Sequence, residues 1–130
     1  MLYNLQIEIN NLFMREEVRD IERLQHILEA MNVLVNYQSH HTMEEALADP
    51  VVYFGLVKHV EIIGEAVYKL TFEYRANHTK VNWDDIERMR HVLVHGYYKI
   101  RPEQLWETIA VDIPQLKPII EQYLSEMEQE

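Results

Sequence analysis

Apolar side chains at Val18, Ile21, Leu24, Leu28, Met31 and Val35 recur at spacings of three and four, which places them on one face of an amphipathic helix over residues 16–37. Polar residues 38–41 interrupt that stripe. Thr42 with Glu45 three positions on has the form of a capping box, opening a short helix that ends near Asp49. Asp49 and Pro50 then read as the N-cap and first position of a long helix reaching about Asn77, because proline's missing N–H costs nothing there. Its apolar residues, among them Val57, Val60, Ile63, Ala66, Val67 and Leu70, surround most of the cylinder. This pattern predicts a central helix buried on more than one side. Gly64 in its middle costs about 1 kcal/mol against alanine and is best explained by another backbone passing close.

Asn82 and Asp85 form a further cap, followed by the stripe Trp83, Ile86, Met89 and Leu93 up to Gly96. Arg101-Pro102 opens the next helix, with Leu105, Ile109, Leu116, Ile119 and Tyr123 facing inward and with Pro114 and Pro118 expected to kink or divide it. Residues 1–13 carry only a short stripe and are expected to form an extra N-terminal segment, Met14 offering an alternative translation start. There is no period-two strand pattern, internal repeat or linker. The expected fold is all-α: an up-and-down bundle of four main helices plus short helices, as one domain over residues 1–130.

Composition narrows the chemistry. The chain has no cysteine, so disulfides, thiolate metal sites and a cysteine nucleophile are excluded and a reducing, cytoplasmic setting is expected. No apolar run approaches the roughly 18 residues of a membrane-spanning helix. The N-terminus lacks the cationic and apolar regions of a secretory signal. A formal charge of −10 argues against general polyanion binding, yet residues 75–101 hold six basic residues against three acidic ones, with His78, His91 and His95 beside them.

Within that window, residues 89–98 place an arginine, two histidines and two tyrosines together, a set that helix packing does not require. His91 and His95, four apart, lie on one face, but no carboxylate stands between them as a metalloprotease pattern would need. Arg90 and Tyr97 share a face, whereas His95 lies about 140° from Arg90 on a regular helix. They converge only if Gly96 turns the chain or a second copy supplies the missing partner across a twofold axis. Glu61 and Glu65, four apart, fit either a paired-carboxylate site or ion pairs with Lys58 or Lys69. His40 and His41 read as solvent-exposed. By themselves the residues leave both a catalytic and a structural role open for His95.

Arg90, four residues, His95, one residue and Tyr97 match the R-x4-H-x-Y motif of HepT-like toxins in the HEPN superfamily of helical ribonucleases. The stretches Ile27-Leu28-Glu29-Ala30, Val60-Glu61-Ile62-Ile63-Gly64-Glu65-Ala66, Trp83-Asp84-Asp85-Ile86 and Asp112-Ile113-Pro114-Gln115-Leu116 also resemble family segments, in order, over about residues 15–125. The resemblance implies a homodimer that cleaves RNA without metal or cofactor at a shared cleft, with Arg90 and His95 catalytic and His91 supporting. It also implies an MNT-type nucleotidyltransferase antitoxin as partner, which adenylylates Tyr97 to silence the toxin. Where the family commonly has Arg-Asn ahead of the Ile-Ile-Gly-Glu-Ala helix, this chain has Lys58-His59, which retains a cation as a supporting residue. The acidic remainder points to a narrow substrate choice, a structured RNA such as tRNA. The alternative is a non-catalytic helical binding module, an adaptor for the nucleotidyltransferase.

Overall fold

The computed structural model describes residues 2–15 and 19–129 and contains no strand among them. A first helix, α1 (Leu2–Arg15), exposes Leu2, Tyr3 and Leu5. Then come α2 (Asp20–His40), α3 (Met43–Ala48), α4 (Pro50–Tyr68), α5 (Phe72–Asn77), α6 (Trp83–Gly96), α7 (Pro102–Glu107) and α8 (Ile113–Glu128). The long helices α2, α4, α6 and α8 make the bundle: α4 packs between α2 and α6, and α8 lies on the remaining side of α2. This is the expected all-α bundle of four main helices with short helices between them.

The start of the first predicted helix, residues 16–18, lies outside the described residues. Its end runs further than the apolar stripe, to His40. Ser39 Oγ donates to the Asn36 carbonyl at 2.9 Å and His40 Nδ1 lies 2.7 Å from the same oxygen, so the polar residues that read as an interruption serve the last turn instead. The capping box before α3 forms as predicted: Thr42 Oγ1 accepts from the Glu45 amide and the Glu45 carboxylate accepts from the Thr42 amide, each at 3.2 Å. At the head of α4, Asp49 Oδ1 accepts from the Val51 amide at 3.0 Å.

The long helix expected to reach Asn77 stops at Tyr68, and a separate α5 follows. Thr71 is the reason. Its Oγ1 accepts from the Tyr74 amide at 3.2 Å, while its own amide and hydroxyl donate to the Asp20 carboxylate at 2.9 and 2.7 Å. A threonine that caps one helix and ties it to the start of another cannot sit inside a continuous one. Of the two late prolines expected to kink or divide their helix, only Pro114 stands at a change in it. A π-helical turn at Thr108–Asp112, in which the Ile113 amide reaches back to the Thr108 carbonyl, precedes α8 and leaves Pro114 in its first turn. Pro118 stays inside α8 on an exposed position.

The core is apolar throughout. Leu24, Ile27, Met31 and Leu34 from α2, Val60 and Val67 from α4, and Ile109 and Ile120 are fully enclosed, each burial stabilising by roughly 1.5–3 kcal/mol. Central position explains α4: its buried residues point both ways, toward α2 and toward α6.

Candidate functional site

Contact between α4 and α6 depends on Gly64. A Cβ at that position would collide with the Arg90 Cβ and come within 3.3 Å of its Cα. The close backbone anticipated from the sequence is therefore that of α6, at Arg90. With the helices this near, Arg90 reaches back along α4: its Nε donates to Glu65 Oε2 at 2.7 Å and its Nη2 lies 2.6 Å from the same oxygen. The guanidinium also sits 5.0 Å over the Tyr68 ring. Held by a carboxylate at one edge and an aromatic face beneath, Arg90 is ordered before any ligand arrives.

Glu65 is pulled two ways. Burial pushes its carboxyl upward, but the Lys69 hydrogen bond and the charge and hydrogen bonds of Arg90 outweigh it and leave the group below the usual glutamate range. Lys69 Nζ lies 3.2 Å from Glu65 Oε1. Glu61 instead faces Lys58 at 3.7 Å. The two glutamates are thus partners of separate cations, which removes the paired-carboxylate reading.

His95 and His91 are both exposed near the end of α6, their ring centroids 4.5 Å apart. Gly96 ends the helix, and Tyr97 stands in the 3-10 turn Tyr97–Lys99, with its ring edge-on to Phe54 at 6.2 Å and to Tyr98 at 5.7 Å. The turn does not draw His95 or Tyr97 onto Arg90: among the described residues no hydrogen bond joins Arg90 to either. Within one chain the motif is an array along one helix end rather than an assembled constellation.

Lys58, exposed on α4, lines a cleft of 230 Å³ together with Arg23 and His26 of α2, Glu61 and Glu65 of α4, and Arg90 of α6. The cation that replaces the family's arginine at position 58 therefore opens onto the same cleft as Arg90. His59 does not: its Nδ1 lies 2.7 Å from the Gly55 carbonyl, within its own helix. Arg23, His26 and Tyr68 were not legible as site residues. Arg23 and His26 sit on a helix whose pattern speaks only of packing. Glu65 carried one usable signal, since it adjoins the glycine that marks the crossing.

The basic window needs correction. Arg75 is paired with Asp84 at 2.9 Å and with Glu87, and Arg88 lies 3.3 Å from Asp85. Two of the six basic residues in that window are thus matched by its own acidic ones, and Arg90 is matched by Glu65 of α4. His41, expected in solvent, is exposed but stacks on Tyr37 with centroids 4.0 Å apart.

The family profile described as "Ribonuclease HepT-like" matches residues 15–123. The chain is 38% identical over 101 residues to the protein named "Putative RNase TTE0752" of Caldanaerobacter subterraneus subsp. tengcongensis, a match covering 78% of this chain and 90% of that protein. It is 32% identical over 94 residues to "Probable ribonuclease HepT" of Thermococcus cleftensis, covering 72% and 86% of the two chains. It is 30% identical over 111 residues to "Putative RNase MJ1216" of Methanocaldococcus jannaschii, covering 85% and 92%. No solved structure gives a significant match.

Proposed function

The chain belongs to the HepT-like ribonuclease family, and from that premise we propose that it is a metal-independent endoribonuclease toxin, active as a homodimer and silenced by adenylylation of Tyr97. The observation that carries this reading is the α6 array itself: an arginine already ordered by Glu65 and Tyr68, followed at the family spacing by an exposed histidine and an exposed tyrosine.

In the proposed reaction, the ribose 2′-OH attacks the adjacent phosphorus while one His95 takes its proton. The P–O5′ bond breaks, and a second His95, protonated, gives a proton to the departing 5′ oxygen. The products are a 2′,3′-cyclic phosphate and a 5′-hydroxyl. Arg90 faces the equatorial phosphoryl oxygens, whose charge grows in the phosphorane-like transition state. Histidine suits both proton roles because its ordinary pKa lies near neutrality. Two histidines are needed, and each chain offers one at the family position, with His91 beside it in support. The exposed Val92, Val94 and Phe54 around the array favour a second copy as the cover that brings the two motifs together.

Tyr97 is 52% exposed, open to a nucleotidyltransferase antitoxin. An AMP on its oxygen adds a phosphate charge that competes with substrate for Arg90. The net charge of −10 repels polyanions in general and favours a structured substrate such as tRNA.

The test is cleavage of RNA in EDTA by the purified chain, with His95→Ala and Arg90→Ala each losing about 100-fold or more while still unfolding cooperatively. Retained cleavage in both variants would remove the assigned site. Sedimentation of a 15.7 kDa species alone at working concentration overturns the dimer. Labelling of Tyr97→Phe by the nucleotidyltransferase and ATP to the wild-type extent overturns the modification.

A further inference from the structure

The cleft between α2, α4 and α6 holds more cation than its carboxylates neutralise. Glu61 faces Lys58 at 3.7 Å, and Glu65 takes Arg90 at 2.6 Å. Arg23, from α2, is left over: it enters no ion pair among the described residues, and its Nε is buried without a hydrogen-bond partner. His26, one helical turn on, lines the same space. A buried N–H without an acceptor costs about 1–3 kcal/mol, more for a charged group, so its retention beside a functional arginine calls for an acceptor that arrives with the ligand.

We infer that this cleft is a binding subsite for a non-scissile phosphate of the RNA backbone, with Arg23 as its principal donor and Lys58 at its rim. The inference rests on the ribonuclease reading above and adds to it a path for the strand. With the scissile phosphate at Arg90, a neighbouring phosphate enters the 230 Å³ cleft that Arg90 and Arg23 both line, crossing α4 toward α2. An anion fits and a neutral ligand does not, because the local surplus is positive on a chain whose net charge is −10. Backbone phosphate contacts of this kind position a strand without reading its sequence.

The experiment measures binding of a short single-stranded RNA oligonucleotide to the His95→Ala chain by fluorescence anisotropy across a salt series. Adding Arg23→Gln weakens Kd about tenfold and lowers the slope of log Kd against log salt by about 0.7, the value for one single-strand phosphate contact. Arg23→Lys, which keeps the charge, recovers the slope, a rescue that a merely structural arginine would not give. A slope unchanged in Arg23→Gln, or not recovered by Arg23→Lys, overturns the subsite. If the unmodified chain cuts no RNA, the ribonuclease reading and this inference fall together. If it cuts RNA while Arg23→Gln keeps the original slope, only the inference falls.

Discussion

The two halves of α6 have opposite fates. In the first half Trp83 and Ile86 are buried, and the Trp83 indole N–H donates to the His78 carbonyl at 2.7 Å within a cluster that includes Tyr74 and Tyr123. Arg75 ties the outer side of that half to α5 through Asp84 and Glu87. In the second half Leu93 alone is buried, while His91, Val92, Val94 and His95 are exposed. One half of the helix is occupied with stability, which leaves the other free to hold groups that packing would not select. The hinge between these duties is Arg90, fixed to α4 yet facing a cleft.

The two halves therefore respond differently to mutation. The largest stability effect belongs to Trp83→Ala, which empties a buried aromatic site and strands the His78 carbonyl; a loss of about 3–5 kcal/mol in urea denaturation is expected. A loss near that of a surface substitution would break the comparison. At the hinge, Gly64→Ala gains about 1 kcal/mol of helix propensity but forces the backbone of α6 away from α4, a clash worth about 1–3 kcal/mol. The clash wins, so stability drops by about 1 kcal/mol and RNA cleavage falls with it as Arg90 moves. A more stable Gly64→Ala chain would show that the helices are not in contact there.

Smaller still is the pH response of Glu65. Its folded-state pKa lies below the ordinary value of 4.5, so ionised Glu65 stabilises the fold above that pH, and the contribution is lost as pH falls through the folded value. With the side chain 41% exposed the effect is screened to under about 1 kcal/mol. Wild type should therefore lose slightly more stability than Glu65→Gln as pH falls from neutrality through 4.5 and on below the folded value. Parallel curves would mean that neither the Lys69 nor the Arg90 pair of Glu65 adds to the fold.

Local chemistry determined a good deal. Asp49 with Pro50, Thr42 with Glu45, and Asn82 placed three helix starts, because a cap and the amide it satisfies lie within three residues of each other. The R-x4-H-x-Y spacing was equally local. Gly64 announced a close neighbour without saying which, since a missing Cβ records that space is needed and not what fills it. Tertiary structure alone decided the rest. Thr71 ends α4 because Asp20, fifty-one positions away, accepts its hydrogen bonds. Arg90 meets Glu65 across twenty-five residues, and Arg23 enters their cleft from a third helix. Helical periodicity states which side a residue faces, but the partner on that side is set by how three helices cross, and that depends on the packing of the whole core.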